Sequence, residues 1–190
     1  MGARSLKIAL VGGTGHQGPG LALRWALAGH EVLIGSRRAE KAERVAGELG
    51  EELARAGTSY EFGHGVNADV VAGADVVVFT IPFEGVRPTC EGLREHIRPG
   101  AVVVSPVVPM RKAEFGLIAE LPPEGSAAEL IAGLLPHAKV VAAFHTVSAA
   151  LLKDLSKPVE GDVVVCGCLL YTSPSPRDRD GEPHLQLLIR

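Results

Sequence analysis

Aromatic residues are scarce in this chain: phenylalanine, tryptophan and tyrosine make up only 4% of its 190 residues. Hydrophobic residues nevertheless reach 46% of the chain, and most of them are alanine, valine and leucine. Small and branched apolar residues of this kind suit parallel strands that are covered by helices. A chain of this length and composition can bury one sizeable core, which predicts an α/β fold.

Cysteine is also sparse, since the chain contains three cysteine residues. So few cysteines in a chain of this length argue against a disulfide framework. No apolar run approaches the ~20 residues needed to span a membrane, and no charged-then-apolar leader precedes the first strand. The formal net charge of −3 gives no reason to expect nucleic acid or an acidic membrane as a partner. No histidine, cysteine, aspartate or glutamate residues recur in the sequence at the spacing that is typical of metal ligands. We therefore expect a cytoplasmic protein whose partners are small molecules.

The most informative segment is the glycine-rich run Gly13-Thr14-Gly15-His16-Gln17-Gly18, which directly follows the apolar residues 7–11. In a G-x-G-x-x-G turn the first glycine allows a tight turn, the second lets a pyrophosphate approach the backbone, and the third lets helix and strand pack closely. An amphipathic stretch with Leu21 and Trp25 follows the turn. This context predicts a dinucleotide whose pyrophosphate lies at a helix N-terminus, with a purely structural turn as the alternative.

The end of the second apolar run, residues 31–35, indicates which dinucleotide is bound. Sites for NAD usually carry an acidic residue there to accept the ribose 2′-hydroxyl. This chain instead has Ser36, Arg37 and Arg38, with Lys41 one helical turn further on. A hydroxyl and cations bind a 2′-phosphate by charge-assisted hydrogen bonds, so the pattern favours NADP(H). The alternative is a solvated basic helix start, which is less favourable because cations are disfavoured at a helix N-terminus.

Strand and helix patterns alternate along the rest of the chain, which predicts right-handed crossovers and a Rossmann-type doubly wound, mostly parallel sheet with helices on both faces. The predicted helices cover 38–55, 67–71, 84–98 and 126–135, and the predicted strands cover 58–62, 74–80, 101–105 and 139–144. Residues 126–129 form a capping box at the start of the last of these helices.

Three segments fall at the carboxyl ends of predicted strands, where ligands bind in such sheets. Residues 80–83 contain Pro82 and Phe83, residues 105–109 contain two prolines, and His145-Thr146 follows the last strand. Prolines fix such loops without needing donors, so these segments can form the walls of a cofactor cleft. The alternatives are that these segments are ordinary connections between strands and loops and that His145 is a hydrogen-bonded structural residue.

A family resemblance is carried by segments spread from residue 7 to residue 167. They are residues 7–15, 20–24, 29–31, 35–38, 80–82, 103–106, 126–129, 145–146 and 165–167. Together they resemble NADPH-dependent F-420 reductase, a family also called F-420:NADP oxidoreductase. Two positions depart from its pattern: Phe83 stands where tryptophan is frequent, and Pro19 stands where lysine is frequent.

The resemblance implies reversible hydride transfer between NADP(H) and the 8-hydroxy-5-deazaflavin coenzyme F-420, with no metal and no nucleophile. It places the pyrophosphate on residues 14–17 and the 2′-phosphate on Ser36, Arg37 and Lys41. The nicotinamide side would be lined by Pro82, Phe83 and Ala149, and His145 and Thr146 would lie near the junction of the two rings. The alternatives are another NADP-dependent reductase that resembles pyrroline-5-carboxylate reductase, and a non-catalytic NADP-binding module.

The last 23 residues, 168–190, have a different character. From Cys168 the sequence reads Cys-Leu-Leu-Tyr-Thr-Ser-Pro-Ser-Pro-Arg-Asp, which resembles the translation of a sequencing-library transposon adapter. We therefore expect residues 1–167 to form an incomplete NADP-binding domain and residues 168–190 to be a non-native, disordered tail. The family fold normally continues into a helical part that helps to form a homodimer and the deazaflavin pocket. Its replacement predicts a poorly active, aggregation-prone chain.

The cofactor preference can be tested by replacing Arg37 with alanine. The Arg37→Ala substitution is expected to raise the dissociation constant of NADPH by roughly one to two powers of ten, because a charged hydrogen bond contributes ~1.5–3 kcal/mol. Binding of NADH should barely change. Equal losses for the two nucleotides, measured by titration calorimetry, would refute the assignment of Arg37 to the 2′-phosphate.

Overall fold

A seven-stranded sheet forms the centre of the computed structural model, which describes residues 5–167. Its strand order is β3-β2-β1-β4-β5-β8-β9. The strands are β1 (Lys7–Val11), β2 (Glu31–Ser36), β3 (Gly63–Val66), β4 (Val76–Phe79), β5 (Val102–Ser105), β8 (Lys139–Ala142) and β9 (Cys166–Gly167). Neighbouring strands are parallel from β3 through β8, and β9 pairs with β8 in the antiparallel direction.

Helices cover both faces of this sheet. They are α1 (Gln17–Leu27), α2 (Ala39–Arg55), α3 (Asn67–Val71), α4 (Val86–Leu93), α5 (Ala127–Leu134) and α6 (Ala149–Lys153), with a 3-10 turn at Phe83–Gly85. One core lies under α1, α2 and α6 and contains Trp25, and the other lies under α3, α4 and α5 and contains Phe79. The prediction of a Rossmann-type, doubly wound and mostly parallel sheet is confirmed.

Several predicted boundaries were wrong. The third strand is Gly63–Val66 and not 58–62, because pairing with β2 overrides the low strand propensity of two glycines and a histidine. The helix predicted over 84–98 is limited to Val86–Leu93 and is preceded by the 3-10 turn. The strand predicted over 139–144 ends at Ala142, two residues before Phe144 adopts a positive φ of 68°. The predicted helix start at Ser126 is confirmed, since Ser126 Oγ accepts from the Glu129 N–H at 3.1 Å, which is one of the two bonds of a capping box.

Three elements have no counterpart in the sequence prediction. A separate antiparallel hairpin is formed by β6 (Met110–Ala113) and β7 (Gly116–Ala119), and its tip residue Phe115 is 96% exposed. The short helix α6 packs against α1, and β9 ends the described part of the sheet. The two hairpin strands, α6 and β9 each contain at most five residues, so their local patterns are too brief to predict from periodicity.

Tyr60 fastens the segment before β3 to the start of β2. Its hydroxyl donates to the His30 carbonyl at 2.6 Å and accepts from the Val32 N–H at 2.8 Å. Partial burial raises the pKa of Tyr60 above its usual value, so the hydroxyl keeps the proton that it donates. The ring itself packs on Phe62, with 4.6 Å between the ring centroids.

Removing this hydroxyl should destabilise the fold without disturbing the ring packing. The Tyr60→Phe substitution is expected to lower the free energy of unfolding by about 1–3 kcal/mol, because it leaves two backbone groups without their partner. Urea unfolding would show a lower midpoint with an unchanged m-value. A midpoint equal to that of the unsubstituted chain would contradict this role of the hydroxyl.

Candidate functional site

The parallel register brings the ends of several strands to one edge of the sheet. Leu10 of β1 pairs with Ile34 of β2, and Val11 pairs with Phe79 of β4. On the other side of β4, Ser105 of β5 pairs with Ala142 of β8. The glycine turn, Ser36 and the three predicted wall segments therefore all leave the sheet at its carboxyl edge. This is the edge at which open parallel sheets bind ligands.

The glycine turn is tight and has no room for side chains at two positions. The Gly13 N–H donates to the Leu10 carbonyl at 3.1 Å, and the Gly15 N–H donates to the Gly12 carbonyl at 3.0 Å. A Cβ on Gly18 would lie 2.4 Å from the Gly13 carbonyl oxygen, and one on Gly13 would lie 2.8 Å from Leu10 Cβ. Glycine is thus required where the strand passes into α1, and the first N–H groups of the helix face the edge without helical acceptors.

Asn67, the first residue of α3, bonds to the residue before this turn and was not predicted from the sequence as part of the site. Its Oδ1 accepts from the Gly12 N–H at 3.2 Å, although the two residues are 55 positions apart. A Cβ on Gly35 would lie 2.7 Å from the same oxygen, so the absence of a side chain at Gly35 lets the asparagine reach β1. Asn67 immediately follows Val66, which pairs with Ser36. An asparagine directly after a strand is a signal that sequence can give, but the strand was predicted over 58–62, so Asn67 was not placed at the end of one.

A basic cluster lies where β2 passes into α2. Ser36 is 5% exposed, and its Oγ accepts from the Arg38 N–H at 3.3 Å. Arg37 and Arg38 are exposed, whereas Lys41 is half-buried on the first turn of α2. Within residues 5–167 none of these three cations forms a salt bridge. A hydroxyl and three uncompensated cations at a helix N-terminus suit an anion of high charge, such as a phosphate monoester.

The segment after β4 is fixed to the glycine turn. Thr80 donates to the Val11 carbonyl both from its N–H, at 2.9 Å, and from its Oγ1, at 3.0 Å. A Cβ on Gly12 would lie 2.3 Å from Ile81 Cγ2, so the turn and this segment are in direct contact. Pro82 is exposed, and Phe83 is half-buried against the core under α4. Pro82 and Phe83 directly follow Ile81, which meets the turn, and their role beside a nicotinamide stays a prediction.

The segment after β8 forms the next part of the edge. His145 and Thr146 lie in an exposed turn, and Ala149 is the half-buried first residue of α6. Partial burial lowers the pKa of His145, and a hydrogen bond with the Val107 backbone opposes this shift. The lowered pKa favours the neutral form of the imidazole at pH 7. Thr146 lines a cavity of about 410 Å³ together with Trp25 and Phe144.

Residues 5–167 contain neither a metal-binding cluster nor a membrane-spanning helix. No group of three or more His, Cys, Asp or Glu residues there is arranged to hold a metal ion. No helix in the same part of the chain is long and apolar enough to cross a membrane.

Strand order, glycine turn and carboxyl-edge loops together define a Rossmann-type dinucleotide-binding domain. Comparison with known proteins identifies the family more closely. A family model described as "NADP oxidoreductase coenzyme F420-dependent" matches residues 7–109. The chain is 42% identical over 164 residues to the F420-dependent NADP reductase of Methanocaldococcus jannaschii, which covers 85% of this chain and 73% of that protein. The chain belongs to the F420-dependent NADP oxidoreductase family.

Other relatives agree with this membership. The F420-dependent NADP reductase of Methanothermobacter thermautotrophicus is also 42% identical over 164 residues, with 84% of this chain and 69% of that protein covered. A solved structure of a proposed F420-dependent NADP reductase from Arthrobacter sp. FB24 has a TM-score of 0.65 at 29% identity and covers 86% of this chain and 74% of that chain. The glycerol-3-phosphate dehydrogenase of Saccharomyces cerevisiae, at 17% identity and a TM-score of 0.63, covers 98% of this chain and 54% of its own and shares the fold alone.

The contact between Asn67 and the glycine turn gives a direct prediction. The Asn67→Ala substitution is expected to speed amide exchange at Gly12 about fivefold, because the N–H loses a hydrogen bond that contributes about 1 kcal/mol. Exchange can be followed by NMR on the nitrogen-15-labelled chain. The matched control is Asp69→Ala on the exposed side of the same helix, which should leave Gly12 unchanged. Equal rates at Gly12 in the two variants would show that Asn67 does not hold the turn.

Proposed function

We propose that this protein transfers a hydride reversibly between NADP(H) and the deazaflavin coenzyme F-420. The observation that carries this proposal is the 42% identity over 164 residues to two F420-dependent NADP reductases. The geometry fits it independently, because the glycine turn accepts a pyrophosphate and the basic cluster accepts a 2′-phosphate. In this reaction the hydride passes between C4 of the nicotinamide and C5 of the deazaflavin.

The glycine turn and the basic cluster would hold the adenosine half of NADP(H). The backbone of residues 13–18 would receive the pyrophosphate, because the first N–H groups of α1 and the helix dipole both favour negative charge there. Ser36, Arg37, Arg38 and Lys41 would bind the 2′-phosphate. The pyrophosphate site follows β1, and the 2′-phosphate site follows the neighbouring strand β2. In this proposal the protein therefore selects a nucleotide that carries both a pyrophosphate and a 2′-phosphate.

The other residues at the edge would orient the two reacting rings. Direct hydride transfer needs the reacting carbons to be ~3–3.5 Å apart with water excluded, and it needs no nucleophile. Pro82, Phe83 and Ala149 supply apolar walls for the nicotinamide in this proposal. His145 and Thr146 would lie at the ring junction, where a neutral imidazole can donate or accept a hydrogen bond without opposing hydride movement by its own charge.

Nothing favours the alternative functions to the same degree. The solved pyrroline-5-carboxylate reductase of Coxiella burnetii is 16% identical with a TM-score of 0.53, which is a likeness of fold alone. A non-catalytic NADP-binding module would need the adenosine site but not the walls at residues 82–83 and 145–149.

The assembly and location of the protein are part of the same proposal. We propose a homodimer for the full-length parent and a cytoplasmic location, as the family resemblance implies. Residues 1–167 would form the NADP-binding domain, and residues 168–190, which we interpret as adapter-derived, lie outside the described residues.

The proposed reaction can be tested with NADPH that carries deuterium at both hydrogen positions of C4, so that transfer from either face of the ring is detected. The parent protein, continued with its natural sequence beyond residue 167, is mixed with this NADPH and oxidised F-420. We expect the visible absorbance of the deazaflavin to fall and the reduced deazaflavin to contain the deuterium at C5, as seen by mass spectrometry. The 190-residue chain should turn over more slowly. NADPH binding without any deuterium transfer by the parent would contradict the proposal.

A further inference from the structure

The side chain of Gln17 joins two segments of the site that are distant in sequence. Gln17 is the fifth residue of the glycine turn and the first residue of α1. Its Nε2 donates to the backbone oxygen of Phe144 at 3.1 Å, across 127 positions of the chain. Phe144 directly precedes His145 and Thr146. The bond therefore connects the proposed pyrophosphate site with the proposed ring junction.

The backbone at Phe144 is held in an unfavourable conformation. Its φ of 68° makes it the one non-glycine residue with a positive φ between residues 5 and 167. A bulky side chain rarely adopts this region, and it persists only where the surroundings impose it. The Phe144 carbonyl accepts from the Val147 N–H at 3.3 Å as well as from Gln17. One donor thus comes from the loop itself and the other from α1.

The ring of Phe144 is held by the same helix. Phe144 is 4% exposed and meets Trp25 edge to face, with 5.9 Å between the centroids. Gln17 and Trp25 both belong to α1, so this helix holds the backbone of Phe144 at one point and its ring at another. A movement at the start of α1 would therefore be transmitted to the segment that carries His145.

We propose that Gln17 is a positioning residue that couples nucleotide binding at the glycine turn to the placement of residues 144–148. A nucleotide that fixes the start of α1 then also fixes the loop that carries His145 and Thr146. The inference rests on the proposed function for the identity of the nucleotide. It differs from the role that the family resemblance implies for Gln17, which is direct contact with the pyrophosphate.

Two substitutions remove the bond in different ways. Gln17→Met keeps the length of the side chain and removes the donor without adding charge. Gln17→Asn keeps the amide but shortens the side chain by one methylene, so that the amide no longer reaches Phe144. Leu27→Met, at the exposed end of the same helix, is the matched control. Thermal unfolding checks that each variant is folded.

The readouts are amide exchange over residues 144–148 and the emission of Trp25, the only tryptophan of the chain. NADP+ is the ligand, because it does not absorb tryptophan emission. Without ligand, both Gln17 variants should show about fivefold faster exchange at Val147 and an altered Trp25 emission. NADP+ should slow exchange over 144–148 in the unsubstituted chain and in Leu27→Met but not in the Gln17 variants. The Kd of NADP+ should rise by less than about threefold.

Two results would overturn the proposal. Unchanged exchange at Val147 in both ligand-free Gln17 variants would show that the bond does not hold the loop. A Kd raised about tenfold or more, with the effect of NADP+ on residues 144–148 intact, would show that Gln17 acts as a pyrophosphate ligand instead. If the unsubstituted chain bound no NADP+, the coupling would fail, whereas deuterium transfer by the parent would still decide the proposed function and the ligand-free exchange would still decide whether Gln17 holds Phe144.

Discussion

The close approach of α1 to the end of β1 is the constraint on which the site depends. Gly18 lies so near the Gly13 carbonyl that a methyl group there would overlap it. This contact determines where α1 starts and therefore where its unpaired N–H groups point. It also positions α1 as a whole, which carries Gln17 at its start and Trp25 in its last turn. A larger residue at Gly13 or Gly18 would displace α1. The residues of the site that bond to α1 or pack on it would then shift as well.

Hydrogen bonds from three other parts of the chain hold this turn in place. Asn67 at the start of α3 bonds to Gly12, Thr80 after β4 bonds to the last residue of β1, and Gln17 bonds to Phe144 after β8. Each bond connects the ends of different strands. Connections of this kind limit the conformational entropy that these segments lose when a ligand binds. A hydride transfer benefits from this arrangement because its rate depends on the distance and orientation of two rings.

The features that were predicted from sequence are those that a local pattern encodes. The glycine turn occupies six consecutive residues, 13–18, and the basic cluster occupies another six, 36–41. Both can therefore be recognised without knowledge of the fold. The order of strand and helix follows from periodicity, which predicted the doubly wound sheet. The helix start at Ser126 is similarly local, and the structure confirms its N-cap bond.

The features that were missed depend on contacts between distant residues. Asn67 and Gly12 are 55 positions apart, and Gln17 and Phe144 are 127 positions apart, so no local pattern indicates either bond. The strand β3 contains Gly63, His64 and Gly65, and only its pairing with β2 makes it a strand. The positive φ of Phe144 cannot be expected for a phenylalanine, because tertiary packing imposes it.

The central claim is that one edge of the sheet binds NADP(H) through two separate phosphate sites. A crystal structure of the chain with NADP+ bound tests it most directly. The account predicts the pyrophosphate on the backbone of residues 13–18 and the 2′-phosphate within hydrogen-bond distance of Ser36 and Arg37. A nucleotide bound with its 2′-phosphate in solvent, away from both residues, or with its pyrophosphate away from the start of α1, would contradict the account.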